Sequence, residues 1–115
     1  TWNELTFIEP DAFAGLENLT VLYLGINMLE SLPINLFKSL TKIKEFNIAR
    51  NKIKFIQISN IIINSIKLMQ LNENKLNYLK SDYFHSFESI YNLNLSHNQI
   101  SNIQSFTFSN LKFID

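Results

Sequence analysis

Few side chains in this sequence could take part in covalent or acid–base chemistry. It contains no Cys and only two His, and His85 and His97 lie far apart along the chain. No carboxylate stands at a spacing that would orient either histidine as a catalytic base. The sequence also lacks a G-x-x-x-x-G-K loop, an H-E-x-x-H pair and an EF-hand loop. We therefore predict no catalytic residue, no cofactor and no metal site, and we interpret both histidines as surface residues.

The composition is that of a folded domain without a strong overall charge. Of the 115 residues, 46% are hydrophobic and 17% are charged, which excludes a disordered chain and a coiled coil. Ten basic residues balance ten acidic ones, so no net charge attracts nucleic acid or anionic lipid. The longest aliphatic run, residues 61–63, is far shorter than the roughly 20 residues that span a bilayer. We expect no membrane contact within this segment.

Asparagine recurs along the whole chain with a nearly constant period. Asn3, Asn27, Asn51, Asn74 and Asn98 are separated by 24, 24, 23 and 24 residues. Apolar residues recur around them at fixed offsets, and in the first complete copy these are Leu19, Leu22, Leu24, Leu29 and Leu32. Such self-similarity predicts a single solenoid over residues 1–115 rather than an ordinary amphipathic α/β domain. Its predicted units are a partial repeat 1–18, complete repeats 19–42, 43–65, 66–89 and 90–113, and the start of another repeat at 114–115.

The spacing within one copy predicts a strand followed by an inward turn. Alternating apolar residues such as Leu22 and Leu24 have the period of a short strand with one buried face. Copies of this length cannot return as hairpins, so we expect the strands to stack in parallel, about 4.8 Å apart. Each recurring Asn then follows a strand, where its carboxamide can satisfy backbone groups of a neighbouring turn on each side. The five recurring asparagines are therefore predicted to form a structural ladder.

A second recurring pattern predicts an aromatic spine on the opposite wall. Its pairs are Phe13 with Leu16, Phe37 with Leu40, Phe84 with Phe87, and Phe108 with Leu111. The repeat 43–65 is one residue short and has Asn60 where Phe is expected. We expect Ile58, Ile61 or Ile63 to fill the gap and a local dent to form in that wall.

The segments that follow the strands resemble a known family of repeats. Leu32-Pro33 followed by Phe37 and Leu40, and the related segment from Ile8 to Leu19, are similar to the 24-residue "typical" leucine-rich repeat. The resemblance implies an α/β fold: an uncapped right-handed solenoid of about four to five repeats, with a short-stranded parallel sheet on its concave face. That subfamily is common in Toll-like receptor ectodomains, Slit-type guidance proteins, small matrix proteoglycans and secreted insect immune factors.

Extracellular members of the family usually carry Cys-rich caps, and this sequence has none. We therefore expect a fragment of a longer ectodomain with apolar residues uncovered at both ends. The residues expected to be uncovered are Leu5, Ile8 and Phe13 at one end, and Leu93, Leu95, Ile100 and Phe108 at the other.

In this fold the side chains between the buried strand residues lie on the concave surface. The predicted partner-binding surface consists of Val21, Tyr23, Ile26, Glu45, Asn47, Arg50, Leu68, Gln70, Asn94 and His97. Val21, Tyr23 and Ile26 form its one apolar cluster, and tyrosine is a frequent anchor of protein interfaces. The alternative is that a preceding repeat half-covers this cluster.

Basic residues are concentrated in the middle of the chain. Residues 38–80 hold nine Lys or Arg against two Glu, which leaves a local charge of +7. Stacking aligns four of them in a basic band, with Lys44 beside Lys67 and Lys52 beside Lys75. This band is a weak candidate site for a glycosaminoglycan, a nucleic acid or an acidic protein. The alternative is a solvated edge on which Arg50 pairs with Glu73 of the next repeat.

Two N-x-[ST] sequons start at Asn18 and Asn94 and predict glycosylation if the protein is secreted. A glycan on Asn94 would block part of the concave groove.

The resemblance implies an extracellular, non-enzymatic module that binds a protein ligand or co-receptor. The first hypothesis is a stretch of a receptor or secreted factor in innate immunity or cell signalling. The alternatives are a cell-adhesion or extracellular-matrix protein, and a recognition region attached to an enzyme such as a receptor kinase.

Overall fold

Four parallel strands from successive repeats form the main sheet of the protein. The structure is a computed structural model and describes residues 3–58, 63–109 and 111. The strands of the main sheet are β1 (Val21–Tyr23), β2 (Glu45–Asn47), β4 (Leu68–Gln70) and β7 (Leu93–Asn94), in the order β1-β2-β4-β7. All three pairings are parallel, which confirms the solenoid that the repeat period predicts.

Two smaller parallel pairs and one helical turn complete the described secondary structure. Strand β3 (Ile63–Ile66) pairs with β6 (Phe87–Ile90), and β5 (Tyr78–Leu79) pairs with β8 (Asn102–Ile103). The helix α1 (Leu36–Ser39) is one turn long, and no other helix occurs in the described part of the chain. The return segments are therefore mostly turns and short strands.

The register of the main sheet aligns the buried strand residues in one column. Leu22 lies opposite Phe46, Phe46 opposite Met69, and Met69 opposite Leu93. Phe46 and Met69, in the central repeats, are each only 2% exposed because both flanking turns cover them. Leu93 is half-buried and packs against the same core cluster. Stacked burial of this kind is the main source of stability in a solenoid.

One apolar residue of the first turn is buried, so the prediction that it is uncovered is wrong. Ile8 is 6% exposed and belongs to the core cluster, whereas Leu5 is 40% exposed. Ile8 stands one repeat before Leu32, which is also buried, so the following turn covers it. The other residues expected to be uncovered are half-buried: Phe13, Leu93, Leu95, Ile100 and Phe108.

The short repeat interrupts the aromatic spine. Phe84 stacks on Phe108 with ring centroids 5.5 Å apart, but Phe37 meets Phe87 edge to face at 5.7 Å. Ile63 is buried and lies opposite Phe87, so it occupies the position of the spine's second member. Ile58 is half-buried, while Asn60 and Ile61 lie outside the described residues. A cleft of about 320 Å³ opens beside this repeat, lined by residues 55–58, Lys80, Asp82 and Tyr83.

Candidate binding face

A turn with left-handed backbone follows each strand of the main sheet. In four successive repeats one residue of this turn has a φ of 54–58°: Ile26, Arg50, Glu73 and His97. A β-branched residue such as Ile26 is strained in this region. The recurring Asn comes directly after each of these residues, so its hydrogen bonds help to hold the strained turn.

Each ladder asparagine joins its own turn to the turn before it. The Asn74 amide donates to the Leu71 carbonyl of its own turn at 3.1 Å and to the Ile48 carbonyl of the preceding turn at 3.0 Å. Its Oδ1 accepts a backbone N–H of the preceding turn at 3.0 Å. Asn51 and Asn98 make the corresponding three bonds. Both bonds between turns therefore point to the preceding repeat, whereas the sequence predicts one neighbour on each side.

The first two asparagines of the ladder make fewer of its hydrogen bonds than the later ones. Asn27 accepts the N–H of Leu5 at 3.1 Å and donates to the Leu24 carbonyl at 3.0 Å. Asn3 is exposed, and within the described residues its side chain makes none of the ladder bonds. The described residues contain no earlier turn whose backbone Asn3 could reach.

The structure brings the predicted partner-binding residues together on the exposed face of the main sheet. The first row consists of Val21, Glu45 and Leu68, and the second of Tyr23, Asn47, Gln70 and Asn94. The left-handed residues Ile26, Arg50, Glu73 and His97 form a third row beyond the strand ends. Backbone hydrogen bonds extend the alignment past the strands, because the Ile26 N–H donates to Ala49 and the Arg50 N–H to Asn72. The ten predicted residues thus share one surface.

A hydrogen bond that the sequence does not reveal fixes the most exposed aromatic residue of this face. The Tyr23 hydroxyl donates to Oε2 of Glu45 in the next strand at 2.5 Å, while the ring remains 58% exposed. This hydrogen bond is the main reason why the pKa of Tyr23 is raised above its ordinary value. The bond orients the ring and lowers the entropy that Tyr23 would lose on meeting a partner.

The second row is dominated by carboxamides, and we call Asn47, Gln70 and Asn94 the amide row. Asn94 donates to Oε1 of Gln70 at 3.1 Å and accepts the N–H of Ser96 at 3.0 Å. Asn47 accepts the N–H of Ala49 at 2.9 Å. Among the described residues, neither the Asn47 amide nor the Gln70 amide has an acceptor for its N–H groups. The row therefore offers oriented donors to a partner.

Two residues beside the amide row have roles that could not be predicted from the repeat pattern. A Cβ on Gly25 would stand 3.1 Å from Asn47 Oδ1 and 3.2 Å from the Ala49 carbonyl, so glycine allows the close approach of these groups. Oδ1 of Asn72 is buried and has no hydrogen-bond partner. An orphaned acceptor of this kind costs stability and is consistent with a functional surface.

The third row carries an ion pair. Arg50 Nε donates to both carboxylate oxygens of Glu73 at 3.0 Å, with side chains 60% and 39% exposed. This is the pairing that the sequence offers as an alternative to a free basic surface. Clefts of about 430 and 810 Å³ lie on either side of the pair and share Ile26, Arg50 and Glu73 in their linings. A groove therefore follows the carboxyl edge of the main sheet toward the exposed Met28.

The four lysines of the predicted basic band form two separate pairs. The Lys67 N–H donates to the Lys44 carbonyl just before strands β4 and β2, whereas Lys52 and Lys75 each follow a ladder Asn beyond the strands. The main sheet lies between the pairs, so the band is not continuous.

The two sequons lie in different surroundings. Asn18 is exposed and accepts a hydrogen bond from Lys42 Nζ at 2.8 Å. Asn94 is half-buried in the amide row, with both ends of its carboxamide engaged. A glycan at Asn94 would be attached to the same nitrogen that donates to Gln70.

Residues 1–53 match the family model of the leucine-rich repeat. With the stacked parallel strands, this match shows a leucine-rich-repeat solenoid fold. It is 28% identical to lumican of Gallus gallus over 100 residues, which are 86% of this chain and 29% of lumican. It is 32% identical to keratocan of Gallus gallus over 101 residues, which are 86% of this chain and 28% of keratocan. Osteomodulin of Bos taurus is 25% identical over 114 residues, 96% of this chain and 26% of osteomodulin. The chain thus spans less than a third of the length of each of these relatives.

The described residues contain neither a metal-binding cluster nor a membrane-spanning helix. No group of three or more His, Asp or Glu side chains in residues 3–58, 63–109 and 111 is placed to hold a metal ion. No helix in that part of the chain has the length and apolar character needed to cross a bilayer.

Proposed function

We propose that this chain is a protein-binding module of an extracellular-matrix protein and that it binds through the exposed face of the main sheet. The observation that carries the proposal is the alignment of Tyr23, the amide row and the Arg50–Glu73 pair on one solvent-facing surface. This surface combines an oriented aromatic ring and an arginine, which are enriched at protein interfaces, with free amide donors that a partner's carbonyls could accept.

The apolar part of the surface supports protein recognition. Val21, Tyr23 and Ile26 are 43%, 58% and 47% exposed and lie at the β1 end of the three rows. Interfaces combine such exposed apolar area with neighbouring polar groups. The grooves on either side of Arg50 add concave shape for a partner's side chains.

The relatives favour one extracellular setting over the other. Lumican, keratocan and osteomodulin are secreted extracellular-matrix proteins, which supports an extracellular location for this chain. They favour the matrix alternative over a receptor of innate immunity or cell signalling. Lumican and keratocan are also non-enzymatic, which favours binding over catalysis.

A capture experiment with two aromatic variants tests the proposal. The full chain, Tyr23→Ala and Phe55→Ala are immobilised and exposed to an extracellular-matrix extract, and retained proteins are identified by mass spectrometry. Phe55 is a matched control because it is 47% exposed but lies outside the main sheet. We expect a protein that the parent and Phe55→Ala retain and Tyr23→Ala loses. Identical retention by all three chains would refute a role of this face.

A further inference from the structure

Three lysines and one glutamate crowd the flank of the solenoid beyond the ladder asparagines. Lys52 and Lys75 occupy equivalent positions in successive repeats, each directly after its ladder Asn. Lys54 lies two residues beyond Lys52, and its Nζ is 3.2 Å from Oε2 of Glu30 in the preceding repeat. We call Glu30, Lys52, Lys54 and Lys75 the flank cluster.

All three lysines of the flank cluster act on the Glu30 carboxylate. The hydrogen bond from Lys54, followed by the charges of Lys54, Lys52 and Lys75, holds the pKa of Glu30 below its ordinary value. One carboxylate cannot balance three ammonium groups, so the cluster keeps a charge of +2 (three minus one). Glu30, Lys54 and Lys75 are exposed and Lys52 is half-buried, so a ligand can reach the charges from solvent.

In the other basic pair, Lys44 and Lys67, the Lys44 ammonium group is less available to a ligand. Lys44 Nζ donates to the Ser65 carbonyl at 3.2 Å and to its hydroxyl at 3.4 Å. By contrast, the side chains of Lys52 and Lys75 make no hydrogen bond or ion pair within the described residues. Arg50, the one arginine of the chain, is already paired with Glu73. Of the two basic pairs, therefore, only Lys52 with Lys75 has both ammonium groups without a partner within the described residues.

We propose that the flank cluster binds a sulfated polysaccharide that runs along the stacking direction of the repeats. Equivalent positions on adjacent turns are about 4.8 Å apart at the backbone, so successive sulfate groups can meet Lys52 and Lys75. Lysine presents a mobile point charge with three donors, which suits sulfates on a flexible chain and does not require the bidentate geometry of arginine. The matrix setting of the relatives favours this ligand over a nucleic acid.

Charge-neutral substitutions on the two basic pairs test this site. Heparin is the probe, and its affinity for the full chain is measured from about 50 to 200 mM salt. The double variant Lys52→Gln with Lys75→Gln is expected to weaken binding on the order of tenfold at low salt and to make the log–log salt dependence shallower by about two. The matched control, Lys44→Gln with Lys67→Gln, makes the same charge change in the same two repeats and is expected to weaken binding less than about twofold.

A third variant tests the cluster in the opposite direction. Glu30→Gln removes its one negative charge and is expected to tighten heparin binding several-fold. Thermal unfolding of each variant checks that the fold is kept. Equal losses in the two double variants, or no change in Glu30→Gln, would overturn the proposal. Equally tight binding of a single-stranded DNA of matched charge would assign the cluster to polyanions in general and overturn its assignment to sulfated polysaccharide.

Discussion

Replacement of Asn74 by Leu removes three hydrogen bonds from the buried centre of the ladder. The Asn74 side chain donates to the carbonyls of Ile48 and Leu71 and accepts the N–H of Ile53. The residue is only 7% exposed.

The Ile53 N–H is left without a partner, which costs about 1–3 kcal/mol. The two carbonyls keep a bond from Asn51 or Asn98, so each lost bond to them costs only about 0.5–1.5 kcal/mol. We therefore expect Asn74→Leu to lower the free energy of unfolding by about 2–6 kcal/mol, a large part of the 5–15 kcal/mol typical of a domain. Urea denaturation measures the loss as a lower midpoint with an unchanged m-value.

Two control substitutions separate the ladder from a general intolerance of Leu. Asn92→Leu changes an exposed Asn in the row that holds Leu68, and we expect it to alter stability by less than about 0.5 kcal/mol. Asn27→Leu removes ladder bonds at a half-buried position, where water can replace part of them, and should cost about 1 kcal/mol. The reasoning fails if Asn74→Leu costs less than about 1 kcal/mol, or if Asn27→Leu costs as much as Asn74→Leu.

Three further perturbations follow from the packing and the charges. Arg50→Ala removes an exposed ion pair, so the free energy of unfolding measured in urea should change by less than about 1 kcal/mol. Phe37→Ala should cost about 3–5 kcal/mol in the same assay because its buried ring packs on Phe46 and Phe87. Burial raises the pKa of Tyr83, so its contribution to stability is complete below about pH 10 and is lost as pH rises through the raised pKa. Tyr83→Phe should therefore flatten the decline in unfolding free energy above about pH 10.

The sequence was sufficient to predict what the repeat period controls. Asn51 and Asn74 mark the same position in successive repeats. Residues at equal distances along the chain from these asparagines therefore stand side by side, and this predicts the columns of the main sheet. The Arg50–Glu73 pair follows from the same count, because both residues directly precede a ladder Asn. Every such feature depends on position within the repeat and not on the orientation of a particular side chain.

Features that depend on the orientation of individual carbonyls and side chains could not be predicted from the sequence. The direction of the ladder bonds depends on how each turn presents its carbonyls, so the sequence could not show that both bonds between turns reach backward. The Tyr23–Glu45 bond depends on rotamers of two residues in adjacent rows. The separation of Lys44 from Lys52 depends on the width of the main sheet, which splits the predicted band into two pairs. The burial of Ile8 depends on how the following turn covers it.

Binding by the exposed face of the main sheet is tested most directly by the affinity of a captured matrix partner for two variants. Isothermal titration compares Tyr23→Ala with Phe55→Ala, which truncate exposed aromatic rings on and off that face. An anchor residue contributes about 2 kcal/mol or more, so Tyr23→Ala should raise the Kd by about 30-fold or more. Phe55→Ala should leave the Kd within about twofold of the parent value. Equal affinities of the two variants would contradict the account.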